Sequence, residues 1–412
     1  MAQHQSGDHE GALESVDAFF KTKPKGSSRS DALYLQGLCL SGVKKPQEAI
    51  KVFGQLLKEN PSYGSRDKVM YELAWAQKNS KDNASALQTF TKLVNTSPKS
   101  SLAAEAHYHL GEDQYQKKQY EKATGTYNSA FELAKTKDLQ EKAAYKLGWA
   151  HYQSGDYEKA LASFAEKLKV NDSSNLASDA EFMKGECLFK QNKYEDAFAT
   201  YQKAKAKPSQ NQTMQVLTLL HGAQSAGQLK KWAPSAKWID ELIEKFPKSA
   251  YVPQAVYERG WAQRNMGQLD DALKSFTEVA SSSRNELGAR SRFMIGEVHF
   301  EKQDYNAAIL EFRRVMFGYG AAKAPDSIKR WQAKSAFEAG RCASVLAGQE
   351  TTPQRRAQLI EGAKGFFKYV VDNHPAATEA KTAKEQLDRL QRAAPQANNR
   401  ISNRQNTTGV TQ

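Results

Sequence analysis

The stretch Ala143–Leu168, AAYKLGWAHYQSGDYEKALASFAEKL, predicts two amphipathic helices joined by a Ser-Gly-Asp turn. Small and apolar residues recur at helical spacing before the turn, at Ala144, Leu147 and Gly148, and again after it. Gly148 lies inside the first helix, where glycine costs about 1 kcal/mol relative to alanine. A glycine kept at that cost indicates that a neighbouring helix packs too closely for a side chain.

Stretches of the same kind recur along the chain, each centred on a small residue that we call the glycine position. These residues are Gly37, Ala74, Gly111, Gly148, Gly185, Gly222, Gly260, Gly296 and Gly340. The spacing stays within one residue of 37 as far as Gly296 and then widens to 44. Recurrence at such a period indicates a tandem repeat, in which each unit contacts its neighbours.

The second helix of each repeat carries a small residue followed four positions later by a larger apolar one. Ala160 and Phe164 form one such pair, and ten pairs of this kind occur between Ala12 and Phe367. The small residue lets helix axes approach to about 8–10 Å, and the larger side chain fills the volume that this opens. The pattern predicts an all-α solenoid of helix hairpins.

These residues resemble the tetratricopeptide repeat, whose unit carries a Leu-Gly pair, an aromatic residue, an alanine, a second aromatic residue and a closing proline. The matching residues of one repeat are Leu147, Gly148, Tyr152, Ala160 and Phe164. The resemblance extends from His9 to about Leu390. It implies a right-handed superhelical solenoid of about nine repeats that acts as a scaffold for other proteins, with no enzymatic activity and no cofactor.

Four segments are expected along the chain. Residues 1–29 form a partial repeat with only a second helix, residues 30–375 form one solenoid, and residues 376–393 form a capping helix. The polar residues 394–412 are expected to be disordered because they contain almost no large apolar side chain. The stretch Ala347–Gln358 predicts a long connection between the helices of the ninth repeat.

The amino end opens on half a repeat, because the preceding glycine position would fall before Met1. Such a half-repeat is expected to expose Val16 and Phe20 on one side. We expect the natural product to extend upstream, where a signal or lipid-attachment segment would lie. The alternative is a true start with the half-repeat as a cap.

Two spacers, PKSSLAAEAHYHLG at 98–111 and PKSAYVPQAVYERG at 247–260, resemble those of bacterial envelope proteins of this family, such as the Tol-Pal accessory protein and the outer-membrane assembly lipoprotein. This resemblance implies a bacterial protein. It would be periplasmic or associated with the outer membrane if an upstream signal is missing, and cytoplasmic otherwise.

The chain has 59 Lys and Arg residues against 46 Asp and Glu residues, a net charge of +13. Interspersed charges of this kind are typical of solvated helix faces. The region Arg313–Lys368 is the most basic, and whether it binds an acidic partner stays open. Nucleic acid is a disfavoured partner, and no small-molecule substrate is expected.

The positions of cysteine and histidine in the sequence predict no metal-binding or catalytic site. Cys39, Cys187 and Cys342 each lie two residues after a glycine position, where other repeats carry alanine, and are expected in the core. His107 and His109 lie two apart on a helix and point to different faces, and the other histidines are treated as isolated.

The resemblance implies that the first helices line a concave groove for a protein or peptide partner. Residues three before and one after the glycine position would face it. The candidate partner-binding residues are Trp75, Trp149, Trp261, Tyr115, Tyr152, Tyr108, Tyr145, Tyr257, Arg264 and Arg341. A structural role in repeat packing is the competing interpretation for the tyrosines three before the glycine position.

Self-assembly is the alternative function. The exposed half-repeat of one copy would contact the carboxyl cap of another and build filaments or higher oligomers. Contact with a membrane is expected only through a partner or a missing amino-terminal anchor.

Overall fold

The computed structural model describes residues 2–405, with side chains described for residues 2–392. These residues form α-helices, one 3-10 turn and no strand. In chain order, α1 to α21 are Ala2–Gln5, His9–Lys21, Gly26–Gly42, Pro46–Glu59, Arg66–Asn79, Asn83–Thr96, Ala103–Gln116, Tyr120–Leu133, Lys137–Gln153, Tyr157–Val170, Ala177–Lys190, Tyr194–Ala206, Gln212–Gln228, Trp232–Lys245, Val252–Asn265, Leu269–Ser282, Glu286–Glu301, Tyr305–Phe317, Asp326–Gln349, Pro353–Asn373 and Ala380–Gln405.

The chain divides into two compact units, Met1–Met214 and Gln215–Gln412, with the division inside α13. In each unit, every first helix packs against the second helix of its own repeat, and that second helix packs against the next first helix. The prediction of an all-α fold of stacked helix hairpins is confirmed. A single solenoid over 30–375 stays a prediction.

At the glycine position the second helix of the repeat packs its ring directly against the backbone of the first. A Cβ atom built on Gly148 would lie 2.7 Å from the Phe164 ring, and one on Gly260 would lie 2.9 Å from the Phe276 ring. Because real Cβ contacts are essentially never that short, the glycine leaves space for the ring of the second helix. In the sixth repeat this ring is Trp238, not the residue after it, Ile239, that the register indicated.

The turn inside each of the first eight repeats ends the first helix with a Schellman motif. In the fourth repeat, the Asp156 amide donates to the His151 carbonyl, and the intervening Gly155 has a φ of +83°. Most repeats place a non-glycine residue in this left-handed position, for example Lys118 with a φ of +59°. The motif fixes where the second helix starts because it pairs carbonyl groups that the helix end leaves free.

The ninth repeat is longer because its helices are longer, not because its connection is. Helix α19 runs to Gln349 and α20 begins at Pro353. The predicted long connection over Ala347–Gln358 is therefore wrong. Pro353 lies in the first turn of α20, where its missing N–H would have no helical partner in any case.

The last helix, Ala380–Gln405, continues past residue 393, where the cap was expected to end. Ala383 is buried against a core cluster that contains Phe367 and Val370, as expected for a helix that covers the ninth repeat. Disorder is the sequence-based expectation for residues 394–412. Helix α21 extends to Gln405, and residues 406–412 lie outside the described residues.

At the amino end, α2 packs against α3 and buries Val16. Phe20 is half-buried and packs against the core cluster of Leu33 and Phe53. The prediction that Val16 and Phe20 are exposed is therefore wrong, because α3 covers the inner face of α2. Phe19 is the exposed ring of this helix.

Candidate functional site

The aromatic residue three before the glycine position packs inside its own repeat. The ring centroid of Tyr145 lies 5.9 Å from that of Phe164, the residue that also covers the glycine. The equivalent pairs with other candidates are Tyr108 with Tyr127 at 5.9 Å and Tyr257 with Phe276 at 5.5 Å. These contacts favour a structural role in repeat packing for this position. The ring that each tyrosine contacts lies on the second helix of its own repeat.

Tyr257 is the most enclosed of the three candidates at this position, with 1% of its surface exposed. The guanidinium of Arg290 lies 4.3 Å from its ring centroid, and burial raises the pKa of its hydroxyl to about 12. Because a buried ring presents almost no surface to a partner, we leave Tyr257 out of the surface proposed below. Tyr108 and Tyr145 are half-buried.

Tyr115 and Tyr152, four residues after the glycine position, close the turn of their repeats. Their rings lie 5.2 Å and 5.4 Å from those of Tyr120 and Tyr157, the first residues of α8 and α10. The same contact joins Phe300 to a tyrosine that begins the second helix of its repeat. The edge contact fixes the angle at which the second helix leaves the turn.

In two repeats the glutamate after the glycine position pairs with the second helix, whereas Glu297 of the eighth repeat accompanies a covering phenylalanine, Phe312. Where the covering ring is a tyrosine, a glutamate accepts its hydroxyl: Tyr127 donates to Glu112, and Tyr201 donates to Glu186 at 2.5 Å. Where the covering ring is Phe90, Phe164 or Phe276, the residue is a tryptophan.

Glu186 is buried, with 7% of its surface exposed, although a position that carries tryptophan in some repeats and glutamate in others suggests solvent exposure. Its carboxylate is satisfied by the Tyr201 hydroxyl and by a hydrogen bond with Tyr152. A buried carboxylate is tolerated when such donors surround it.

The three tryptophans keep part of their surface. Trp75 lies edge-on to His109 of the next repeat, with 5.0 Å between ring centroids, and the Lys78 ammonium lies 4.5 Å from its centroid. Trp149 packs edge-on against Tyr145 and Tyr152 and stays half-buried.

In the second unit, Trp261 is 36% exposed and is among the most exposed large apolar side chains described. Arg264 lies one turn on, 5.8 Å from the Trp261 centroid, and is paired with Glu301 at 2.8 Å and with Glu297 at 3.4 Å. These ion pairs join α15 to α17, so Arg264 already has partners within the fold.

Arg341 is exposed and forms a 2.7 Å ion pair with Glu338 on its own helix. Its guanidinium also lies 5.2 Å from the Phe300 centroid, on the first helix of the preceding repeat. Since an exposed ion pair contributes little to stability, about 0–1 kcal/mol, Arg341 is free to exchange Glu338 for a partner's carboxylate.

Half-buried carboxylates accompany the tryptophans in both units. Burial raises the pKa of Glu72, and the nearby Glu105 raises it further. In the second unit, burial and mutual repulsion raise the pKa of Glu297, with Glu338 as the repelling neighbour. A raised carboxyl pKa means that burial and repulsion outweigh the compensation of the charged form, at Glu297 even with Arg264 and Arg341 nearby, and this favours contact with an incoming donor or cation.

Family comparisons cover most repeats of the first unit and part of the second. Two family models, each described as tetratricopeptide repeat, match the chain, one at residues 145–211 and 257–328 and the other at 31–63 and 68–100. The chain contains tetratricopeptide repeats. Proteins with these repeats generally mediate protein-protein interactions, which agrees with the predicted class of function.

Several solved structures are similar to this chain at low identity. A tetratricopeptide repeat protein from Parabacteroides merdae is 17% identical, with 65% of this chain and 98% of that chain covered and a TM-score of 0.42. The C-terminal part of a TPR repeat-containing protein from Cytophaga hutchinsonii is 15% identical, with 66% and 97% covered and a TM-score of 0.49. Pseudomonas aeruginosa PilF is 19% identical, with 56% and 98% covered and a TM-score of 0.39.

No curated protein matches the sequence. Within residues 2–405, none of the helices combines the length and the apolar character that crossing a bilayer requires. The resemblance of the spacers to envelope members of the family has no counterpart in these comparisons.

Three side chains come together that the sequence analysis treated as separate. His4, His9 and Cys39 place one potential ligand atom each within 4.8 Å of one another. The histidines were regarded as isolated and the cysteine as a core residue. The repeat register could have indicated this contact. It assigns the residues before α2 to the first helix of a partial repeat, and residues of that helix lie against α3.

Proposed function

We propose that this tetratricopeptide-repeat chain is a non-catalytic scaffold that binds a protein or peptide segment on the first helices of its repeats. The observation that carries the proposal is the tryptophan position. Trp75, Trp149 and Trp261 occupy it in three repeats and keep exposed surface, while the aromatic residues three before each glycine pack inside their repeats.

Tryptophan suits this role because a large, rigid ring gains much from burial and loses little conformational freedom. Interface residues whose truncation costs about 2 kcal/mol or more are enriched in Trp, Tyr and Arg. Trp75 has Lys78 against its face, and Trp261 has Arg264. Trp75 and Trp261 therefore each offer an apolar surface with a charged group beside it.

The half-buried carboxylates indicate the chemistry of the partner. A segment with an apolar anchor and a flanking amide or ammonium group would cover Trp75 and donate to Glu72, whose pKa burial raises. In the second unit the same arrangement would cover Trp261 near Glu297. The resemblance of the spacers makes the bacterial envelope the first place to search for such a partner.

Photo-crosslinking tests where the partner binds. A photoreactive amino acid at positions 75, 149 and 261 should capture the same partner, and one at the exposed Lys122 on α8 should not. The purified partner should then bind the triple Trp→Ala variant at least about tenfold more weakly, as expected when such anchors are lost.

Trp232→Ala provides the matched control, because Trp232 is partly buried at the start of α14 and lies outside the tryptophan position. Equal affinity of the wild type, the control and the triple variant, with unchanged circular dichroism, would contradict the proposed surface. Growth of molecular mass with concentration in light scattering would favour self-assembly instead.

A further inference from the structure

The amino-terminal end brings two imidazoles and a thiol together. His4 lies on α1, His9 is the first residue of α2, and Cys39 lies on α3. The Nδ1 atoms of His4 and His9 are 3.0 Å apart, and Cys39 Sγ lies 3.8 Å from His4 Nδ1. Among the described residues, this is the one cluster in which three potential metal-ligating groups meet.

These separations match those between ligands of one tetrahedral zinc ion. Zn–N bonds of about 2.0–2.1 Å and Zn–S bonds of about 2.3 Å place ligand nitrogens about 3.3 Å apart and nitrogen and sulfur about 3.6 Å apart. The observed N–N and S–N distances lie close to these values. Hydrogen bonds would also account for both distances, but they would require the single His4 Nδ1 atom to serve both His9 and Cys39.

The surrounding structure holds Cys39 and His9 in place. Cys39 has no exposed surface, and the His9 ring packs against Gly42, where a Cβ atom would overlap it. Asp8 caps α2 by accepting the Gly11 amide at 2.9 Å, which fixes the backbone next to His9. A preorganised set of this kind loses less entropy when a metal binds.

Two other cysteines show that the cluster is not a general property of the repeat. Cys187 and Cys342 occupy the same repeat position as Cys39 and are equally buried. Neither belongs to a group of three potential ligands among the described residues. The histidines therefore distinguish Cys39 from cysteines that serve only as small core residues.

We propose that His4, His9 and Cys39 bind a zinc ion that joins α1 and α2 to α3. The thiolate is the ligand form of cysteine, so binding releases the Cys39 proton to solvent. Three protein ligands leave a fourth position for water. Because the ligands come from three helices, the bound ion stabilises the amino-terminal end of the first unit.

Cobalt is the probe for this site because a cobalt-thiolate bond gives charge-transfer absorption in the near ultraviolet. The metal-free full chain should bind one Co²⁺ with this absorption, and Zn²⁺ should displace it. Cys39→Ala should abolish the absorption, and Cys187→Ala, the matched control, should keep it. Alanine occupies the position in other repeats, at Ala76 and Ala150, so both variants should fold.

His9→Gln tests the imidazole ligands. Loss of an outer-shell partner weakens metal affinity about 10- to 100-fold, so loss of a ligand should cost at least that much. Zn²⁺ should raise the melting temperature of the wild type and of Cys187→Ala but not that of Cys39→Ala. Absence of thiolate absorption, or zinc affinity unchanged by Cys39→Ala, would overturn the site.

Discussion

Phe164 on α10 lies over Gly148 on α9 so closely that a Cβ atom on the glycine would lie 2.7 Å from the ring. The Phe164 ring has no exposed surface, so it cannot move aside without disturbing the core. This relationship explains why glycine is kept inside a helix. It also makes the glycine and the covering ring a single packing unit.

Gly148→Ala should lower the free energy of unfolding by up to about 2 kcal/mol. Overpacking a filled core costs about 1–3 kcal/mol, and the helix propensity of alanine recovers about 1 kcal/mol of that. Gly125→Ala on α8 is the matched control, because no atom lies within 4 Å of its added Cβ. Gly125→Ala should raise the free energy of unfolding by up to about 1 kcal/mol. Urea denaturation followed by circular dichroism measures the free energy of unfolding of both variants. A change in the same direction in both would contradict the packing explanation.

Tyr201→Phe should destabilise the fifth repeat by about 1–3 kcal/mol, because the buried Glu186 carboxylate loses its 2.5 Å donor. Glu186→Met combined with Tyr201→Phe should be more stable than Tyr201→Phe alone, since the carboxylate is no longer buried. Urea denaturation of the wild type, the two single variants and the double variant gives the coupling free energy between Glu186 and Tyr201. Additive effects of the two substitutions would show that the pair does not act as a unit.

The repeat could be predicted from sequence because its strongest constraints are local. Gly148 and Phe164 lie on the two helices of one hairpin, and the spacing between them recurs with the repeat period. The pairing of Glu186 with Tyr201 recurs in the third repeat as Glu112 with Tyr127, but Glu297 accompanies Phe312. Glutamate at this position therefore does not by itself predict a tyrosine partner.

Contacts between repeats were harder to predict. Nothing local to Arg264 indicates that Glu301 of the next repeat already pairs with it. The approach of His4 to Cys39 depends on how α1 and α2 fold back on α3. The length of α19 depends on packing against its neighbours, whereas the Thr-Thr-Pro sequence that suggested a loop only marks where α20 begins.

Lys167→Met should destabilise the first unit by about 3–5 kcal/mol, the cost of leaving one partner of a buried ion pair without the other. Lys167 has no exposed surface, donates to Ser174 Oγ at 2.8 Å and lies 3.4 Å from the Glu141 carboxylate. Burial lowers the pKa of this lysine. Replacing Glu141 by Met as well should recover most of the loss.

Lys169→Met is the control for Lys167→Met. Lys169 lies on the same helix and pairs with Glu166 at 2.8 Å, but its side chain is largely exposed. The substitution should change the free energy of unfolding by less than about 0.5 kcal/mol. Equal losses in the two lysine variants, measured by urea denaturation, would show that burial of the network does not determine its contribution.

His109 should make the stability of the first unit depend on pH. Burial, together with the charge of Lys78, lowers the pKa of His109 to about 4, below its ordinary value of 6.5. Lys78 Nζ lies 3.3 Å from Nδ1, and Glu105 Oε1 lies 3.9 Å from Nε2, while Glu112 opposes the shift. The imidazole is therefore neutral in the folded chain at neutral pH and accepts a hydrogen bond from Lys78.

Between pH 4 and 6.5 the unfolded chain binds a proton at this residue that the folded chain does not. The contribution of His109 to the free energy of unfolding is thus fully present above this window and is lost as the pH falls through it. His109→Gln keeps an acceptor for Lys78 but cannot titrate, so its stability should fall less steeply over the same range. Urea denaturation of both proteins at a series of pH values measures the difference, and parallel curves would show that His109 titrates equally in both states.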